Sequence, residues 1–152
     1  MASVHYIYDG GFEGFLTILE RVFSGAEAPA GIAAAGEGEA PVQGELFAAT
    51  LRISPDPTAN ARLRRRLRER LPETALSEGA AAFRNRQPGR EMAIYAYLRL
   101  GLEAGALLPT LLTRKEVAEV HRLAHQVRQE VHRFHGLLRF QELADGVLYA
   151  PC

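Results

Sequence analysis

The stretch KEVAEVHRLAHQVRQEVHRFHG, residues 115–136, constrains this chain more than any other. At about 100° per residue, Val117, Val120, Leu123, Ala124, Val127, Val131 and Phe134 fall on one face. An apolar stripe of that length predicts a helix over 115–135 lying against a core supplied by the rest of the chain. Thr113 and Glu116 have the spacing of a capping box, and Gly136 is placed to end the helix. Glu119, Arg122, Gln126, Gln129, Glu130 and Arg133 take the solvent face. Between the two faces, His121, His125, Arg128, His132 and His135 share a strip about 80° wide.

Three chemistries fit such a strip. His121 and His125 are spaced i, i+4 and could chelate one ion, but a third ligand would have to come from another segment. Arg128 among the histidines could make a phosphate or partner surface. The plainest reading is boundary packing, in which amphipathic rings cover the edge of a core. No metal and no cofactor is expected from these residues.

The remaining segments supply the core. VHYIY (4–8) reads as a strand, with Asp9 capping an amphipathic helix over FEGFLTILERVF (12–23). Residues 24–43 are small, Gly- and Ala-rich, and read as a flexible loop. GELFAATLRIS (44–54) reads as a second strand, and Asp56-Pro57 opens a helix over 57–71. Further helices are expected over ETALSEGAAAFRN and over 90–105. LLRFQEL and GVLYA flank Ala144-Asp145-Gly146 as a C-terminal hairpin. The sum is one domain over 1–152 of the α+β class. A small, mainly antiparallel sheet, built from the two N-terminal strands and the hairpin, would carry four to five helices.

Composition narrows the function classes. Eighteen basic residues balance eighteen acidic ones, so overall charge does not point to nucleic acid or membrane. The single cysteine, Cys152, rules out an intramolecular disulfide and a Cys-rich zinc site. No run of about 20 apolar residues is present and the N-terminus lacks a secretory pattern, so a cytoplasmic protein with no membrane partner is expected. Neither a Gly-x-Ser-x-Gly elbow nor a Walker-type loop occurs.

Charge does cluster locally. In ARLRRRLRERL, Arg62, Arg64, Arg65, Arg66, Arg68 and Arg70 surround a narrow Leu63/Leu67/Leu71 stripe. A helix docked by that stripe would present a surface suited to phosphate backbones but without base-reading information. A solvated helix balanced by Glu73 and Glu78 is the competing reading.

YIYDGGFEGFLTILERVF, GREMAIYAYLRLG and VRQEVHRFHGLLRFQELADGVLYA together resemble the bacterial "probable DNA metabolism protein" family. That family is encoded beside a radical-SAM protein and is sometimes fused to a uracil-DNA glycosylase domain. The resemblance singles out Asp9, Gly10, Phe12, Glu13, Gly14, His132, Arg133, Gly136, Arg139, Phe140, Asp145, Gly146 and Tyr149. Family members continue past the Tyr-Ala, so this chain resembles their N-terminal portion.

The resemblance implies an accessory module of DNA repair, working with a radical-SAM protein or a uracil-DNA glycosylase. DNA would meet the arginines of 62–70 together with Arg128, Arg133 and Arg139. Two alternatives stand beside it. One is an enzyme on nucleic acid, with His132, Arg133 and a carboxylate such as Glu13 or Asp145 in one pocket. The other is a protein-interaction domain that binds no nucleic acid.

Overall fold

The computed structural model describes residues 4–36 and 49–145, with 135–145 described by their backbone only. Strand β1 (Val4–Tyr8) leads into helix α1 (Phe12–Phe23) and strand β2 (Pro29–Ala34). Strand β3 (Ala49–Arg52), helices α2 (Pro57–Arg70), α3 (Glu73–Phe83) and α4 (Arg90–Ala104), a 3-10 turn (Gly105–Thr110) and helix α5 (Lys115–Asp145) follow. Among the described residues no helix is long and apolar enough to cross a membrane.

The class is α+β with five helices, but the expected sheet is wrong. The strands lie in the order β2-β1-β3, and both pairings to β1 are parallel. Parallel neighbours need a crossover, and α1 supplies it between β1 and β2. Central strand β1 is buried on both faces at Tyr6, Ile7 and Tyr8, as parallel strands usually are.

Two local readings account for the error. Part of the expected loop at 24–43 is β2, whose Pro-Ala-Gly-Ile-Ala-Ala sequence has little strand propensity of its own. Pairing with β1 makes it a strand. Gly31 lies opposite His5, and a Cβ there would come within 2.8 Å of His5 Nδ1. The second error is the hairpin. Helix α5 runs through Gly136 to Asp145, so Gly136 does not end it and 137–143 is not a strand. Leu, Arg, Gln, Glu and Ala in that segment are good helix formers, and one glycine opposes them by about 1 kcal/mol. The second expected hairpin strand, 146–150, lies outside the described residues.

The middle of the chain follows its punctuation. Asp56 accepts hydrogen bonds from the Thr58 and Ala59 N–H groups, and Pro57 occupies the first turn of α2. Asp9 acts differently from expectation. Gly11 is the N-cap of α1, and Asp9 Oδ1 accepts from the Gly11 N–H at 2.9 Å while Gly10 turns at φ +96°.

The core joins Tyr8 and Phe15 to Phe83, Ile94, Tyr97 and the α5 residues Val117, Val120, Leu123 and Ala124. A polar knot is sealed beside it. Tyr8 donates to Glu91 Oε1 at 2.8 Å, and Arg90 Nε meets the same oxygen at 3.3 Å. Arg90 Nη1 also donates to the Phe83 and Asn85 carbonyls at 2.6 and 2.8 Å, closing the C-terminus of α3. Its guanidinium lies 4.4 Å from the Phe83 ring centroid. Asn85 Nδ2 then reaches α5, donating to Leu123 O and Gln126 Oε1 at 3.2 and 2.9 Å. Burial and the Glu91 charge together hold the Tyr8 hydroxyl well above its usual range, so it stays a donor.

Candidate functional site

The arginines of α2 divide between α1 and solvent. Arg62 Nε lies 3.4 Å from Glu20 Oε1, Arg64 pairs with Glu13, and Arg66 Nη2 donates to Phe23 O at 3.1 Å. Their partners are therefore the acidic residues and carboxyl end of α1, not Glu73 and Glu78. Leu63 and Leu67 are buried as the stripe predicted. Arg65, Arg68 and Arg70 are exposed on the outer side of the helix.

Glu13 is bound into this α1–α2 contact. Asn60, fully buried, donates to its carboxylate at 2.8 Å and to its backbone carbonyl at 2.9 Å. Arg64 and Asn60 hold its carboxyl below the usual range. Glu13 thus serves an interhelical joint and is not brought to His132 and Arg133. The Asp145 side chain lies outside the described residues, as do those of His135, Arg139 and Phe140. Gly146 and Tyr149 lie wholly outside them.

The histidine strip of α5 splits into two environments. Arg128 Nη1 lies 2.5 Å from Glu78 Oε1 on α3, and His121 Nδ1 faces Glu78 Oε2 at 3.7 Å. His125 and His132 are exposed and share a shallow surface with Arg128, Gln129 and Arg133. The i, i+4 pair does not converge on an ion: His121 turns toward Glu78 while His125 faces solvent. Among the described residues no group of three or more His, Cys, Asp or Glu is placed to hold a metal.

Arg133 also borders a cleft that sequence reasoning missed. A space of about 680 Å3 opens between the α3–α4 turn and α5, with Arg84, Arg86, Gln87, Gln126, Glu130 and Arg133 among its walls. Gln87 Nε2 donates to Gln126 Oε1 at 3.0 Å, and Arg122 Nη2 donates to Gln87 Oε1 at 3.1 Å, so side chains tie the turn to the helix. Three guanidiniums stand against one carboxylate in this wall. The signal was present in FRNRQPGR, where three arginines bracket a Pro-Gly turn. It became meaningful only when α5 proved to lie across that turn.

A second cavity, of about 440 Å3, lies on the opposite flank of α5, with Glu78, Tyr97, Pro109, His121 and Arg128 in its lining. Tyr97 is fully buried. Burial, with the Glu78 charge adding to it, pushes its hydroxyl pKa up to about 12.

Among protein families, residues 88–152 match a domain of unknown function, DUF4130. The matched segment spans α4, the 3-10 turn and α5, and so includes Tyr97, His121, Arg128 and Arg133. No curated protein and no solved structure matches the chain.

Proposed function

We propose that this protein is an accessory nucleic-acid-binding module of DNA metabolism that grips the phosphate backbone in the cleft between the α3–α4 turn and α5. The observation that carries the reading is the wall of that cleft, which Arg84, Arg86 and Arg133 line together with Glu130 as its one carboxylate. Guanidiniums held on two elements can take successive phosphates bidentately, and the glutamines beside them add neutral donors. Arg65, Arg68 and Arg70 on α2 offer a further cationic surface. No base-reading geometry accompanies these groups, so binding is expected to be indifferent to sequence.

Fluorescence anisotropy with a labelled duplex across a salt series tests this. Affinity should fall steeply as salt rises, and each of Arg84→Ala, Arg86→Ala and Arg133→Ala should flatten the logarithmic slope by about one. Salt-insensitive binding, or none at micromolar protein, overturns the reading.

One observation favours a protein partner as a second reading. Helix α5 leaves the core after Ala124, and Val131 and Phe134 are 52% and 62% exposed on its apolar side. A partner such as a radical-SAM protein or a uracil-DNA glycosylase would cover that face. Co-purification with such a protein that survives nuclease treatment and is lost in Phe134→Asp would favour this reading.

A further inference from the structure

A groove of about 200 Å3 lies where α1, α2 and α3 meet, with Leu98 of α4 beneath. Its accessible walls are apolar. Phe12 is 36% exposed, Leu76 and Ala80 are half-buried, and Leu16, Leu67 and Leu98 lie nearly buried below them. The Phe12 ring packs against Phe83, with centroids 5.1 Å apart, so that wall is braced from the core.

Gly79, within α3, also lines the groove. Glycine weakens a helix interior, so a helical glycine calls for a reason. Packing supplies one elsewhere in this chain. A Cβ on Gly14 of α1 would come within 2.7 Å of Asp9 Oδ1, and one on Gly101 of α4 within 2.6 Å of Leu71 Cδ2. A Cβ on Gly79 would meet no atom within 4 Å. Gly79 therefore leaves open a space that the protein's own side chains do not fill.

The rim carries charge of one sign. Arg64 and Arg68, one turn apart on α2, line the groove, and no carboxylate does. Arg64 is engaged by Glu13. Arg68 is exposed and makes no hydrogen bond or ion pair among the described residues.

We propose that this groove is a binding site for a small amphipathic carboxylate. Its apolar body lies among Phe12, Leu76 and Ala80, over Gly79, and its carboxylate meets the Arg68 guanidinium, which matches it in charge and in bidentate geometry. The groove is smaller than the roughly 300–1,000 Å3 of pockets for drug-sized ligands, so the body is a single ring or a short chain. The groove shares no lining residue with the cationic cleft, so binding here does not depend on nucleic-acid binding there.

Hydrocinnamate is a suitable probe, with hydrocinnamyl alcohol as a control of the same body and no charge. Isothermal titration of the full chain should show saturable hydrocinnamate binding in the millimolar range or tighter, and the alcohol should bind at least about tenfold more weakly. Arg68→Gln removes a charge that has no protein partner, so its Tm should match the parent's. It should weaken hydrocinnamate by about tenfold, to the level of the alcohol. Gly79→Leu puts a side chain into the space itself. It should abolish hydrocinnamate binding and hold or raise the Tm, because leucine enters open room and suits a helix. Hydrocinnamate should raise the Tm of the parent but not of Gly79→Leu. A lower Tm for unliganded Gly79→Leu would show that the space is not free and overturn the proposal. Equal binding of acid and alcohol, unaltered hydrocinnamate binding in either variant, or no saturable binding to the parent would do the same.

Discussion

At the start of α4, Tyr8, Glu91, Arg90 and Asn85 form a knot in which no side-chain polar atom is left buried without a partner. Between α3, α4 and α5, Glu78, Tyr97, His121 and Arg128 use nearly the same residue types and leave three atoms unsatisfied. The materials are alike, but only one set closes its bonds. A closed network fixes the geometry of the elements that share it. Here it locks β1 to α4, and the end of α3 to α5. An open one leaves polar atoms sealed in the packing without a partner among the described residues, which costs stability.

The comparison is broken most forcefully from the closed side. Removing Glu91 leaves Arg90 confined beside Phe83 without its carboxylate, the situation in which truncating one member of a buried pair is severe. Glu91→Ala should lower unfolding free energy by about 3–5 kcal/mol, read as a reduced urea midpoint at unchanged slope. A loss within experimental error would show the knot to be dispensable and remove the contrast.

A gentler cut sharpens it. Tyr8→Phe deletes only the hydroxyl that donates to Glu91 Oε1 at 2.8 Å. A hydrogen bond to a charged group contributes about 1.5–3 kcal/mol, and denaturant unfolding should show a loss of that size. Set beside Tyr97→Phe, where no loss is expected, the same atom is deleted from two buried tyrosines with opposite outcomes. Equal losses at both positions would mean that the two networks do not differ in kind.

Much of the closed side was legible before the structure, and little of the open side was. Asp56-Pro57, Pro72 and Pro88-Gly89 mark where α2, α3 and α4 begin, because those residues act locally. The valine and leucine stripe of α5 found its core face as far as Ala124. The sheet was misread because β2 is made of alanine, glycine and proline, and only pairing with β1 makes it a strand. The hairpin failed because Asp145-Gly146 is a turn signal of two residues, whereas the helix preference of 137–145 is spread over the whole segment. At the sites, sequence showed charge without its destination. Arg62 and Arg64 were visible as a run, but nothing local says that Glu20 and Glu13 stand some forty to fifty residues earlier to receive them. Glu78 and Tyr97 sit in ordinary helical positions, and the lack of a partner for Glu78 Oε2 and Tyr97 Oη among the described residues is a property of packing that no spacing rule encodes.

The smallest effect lies at the surface, where satisfied and unsatisfied differ least. Glu13 accepts from Arg64 and Asn60, and its side chain is still 52% exposed. Those two partners hold its carboxyl below the ordinary value of 4.5 in the folded chain. Glu119 is lowered likewise by Arg122, and Glu116 by its own backbone N–H together with Arg114. The folded value lies below the unfolded one in each case. Each group's contribution is therefore fully present above about pH 4.5 and is lost as pH falls through the depressed folded value. Glu13→Gln keeps an acceptor for Asn60 and Arg64 but cannot titrate. It should cost about 0.2–1 kcal/mol at neutral pH and low salt, and less at high salt, because water and ions screen an exposed pair. Urea midpoints taken at neutral pH and again near pH 3.5 should bring the parent and Glu13→Gln closer together at the acid end. If the gap between them instead widens on acidification, Glu13 is not held by Arg64 in the way described, and the α1–α2 joint rests on Asn60 and the leucine stripe alone.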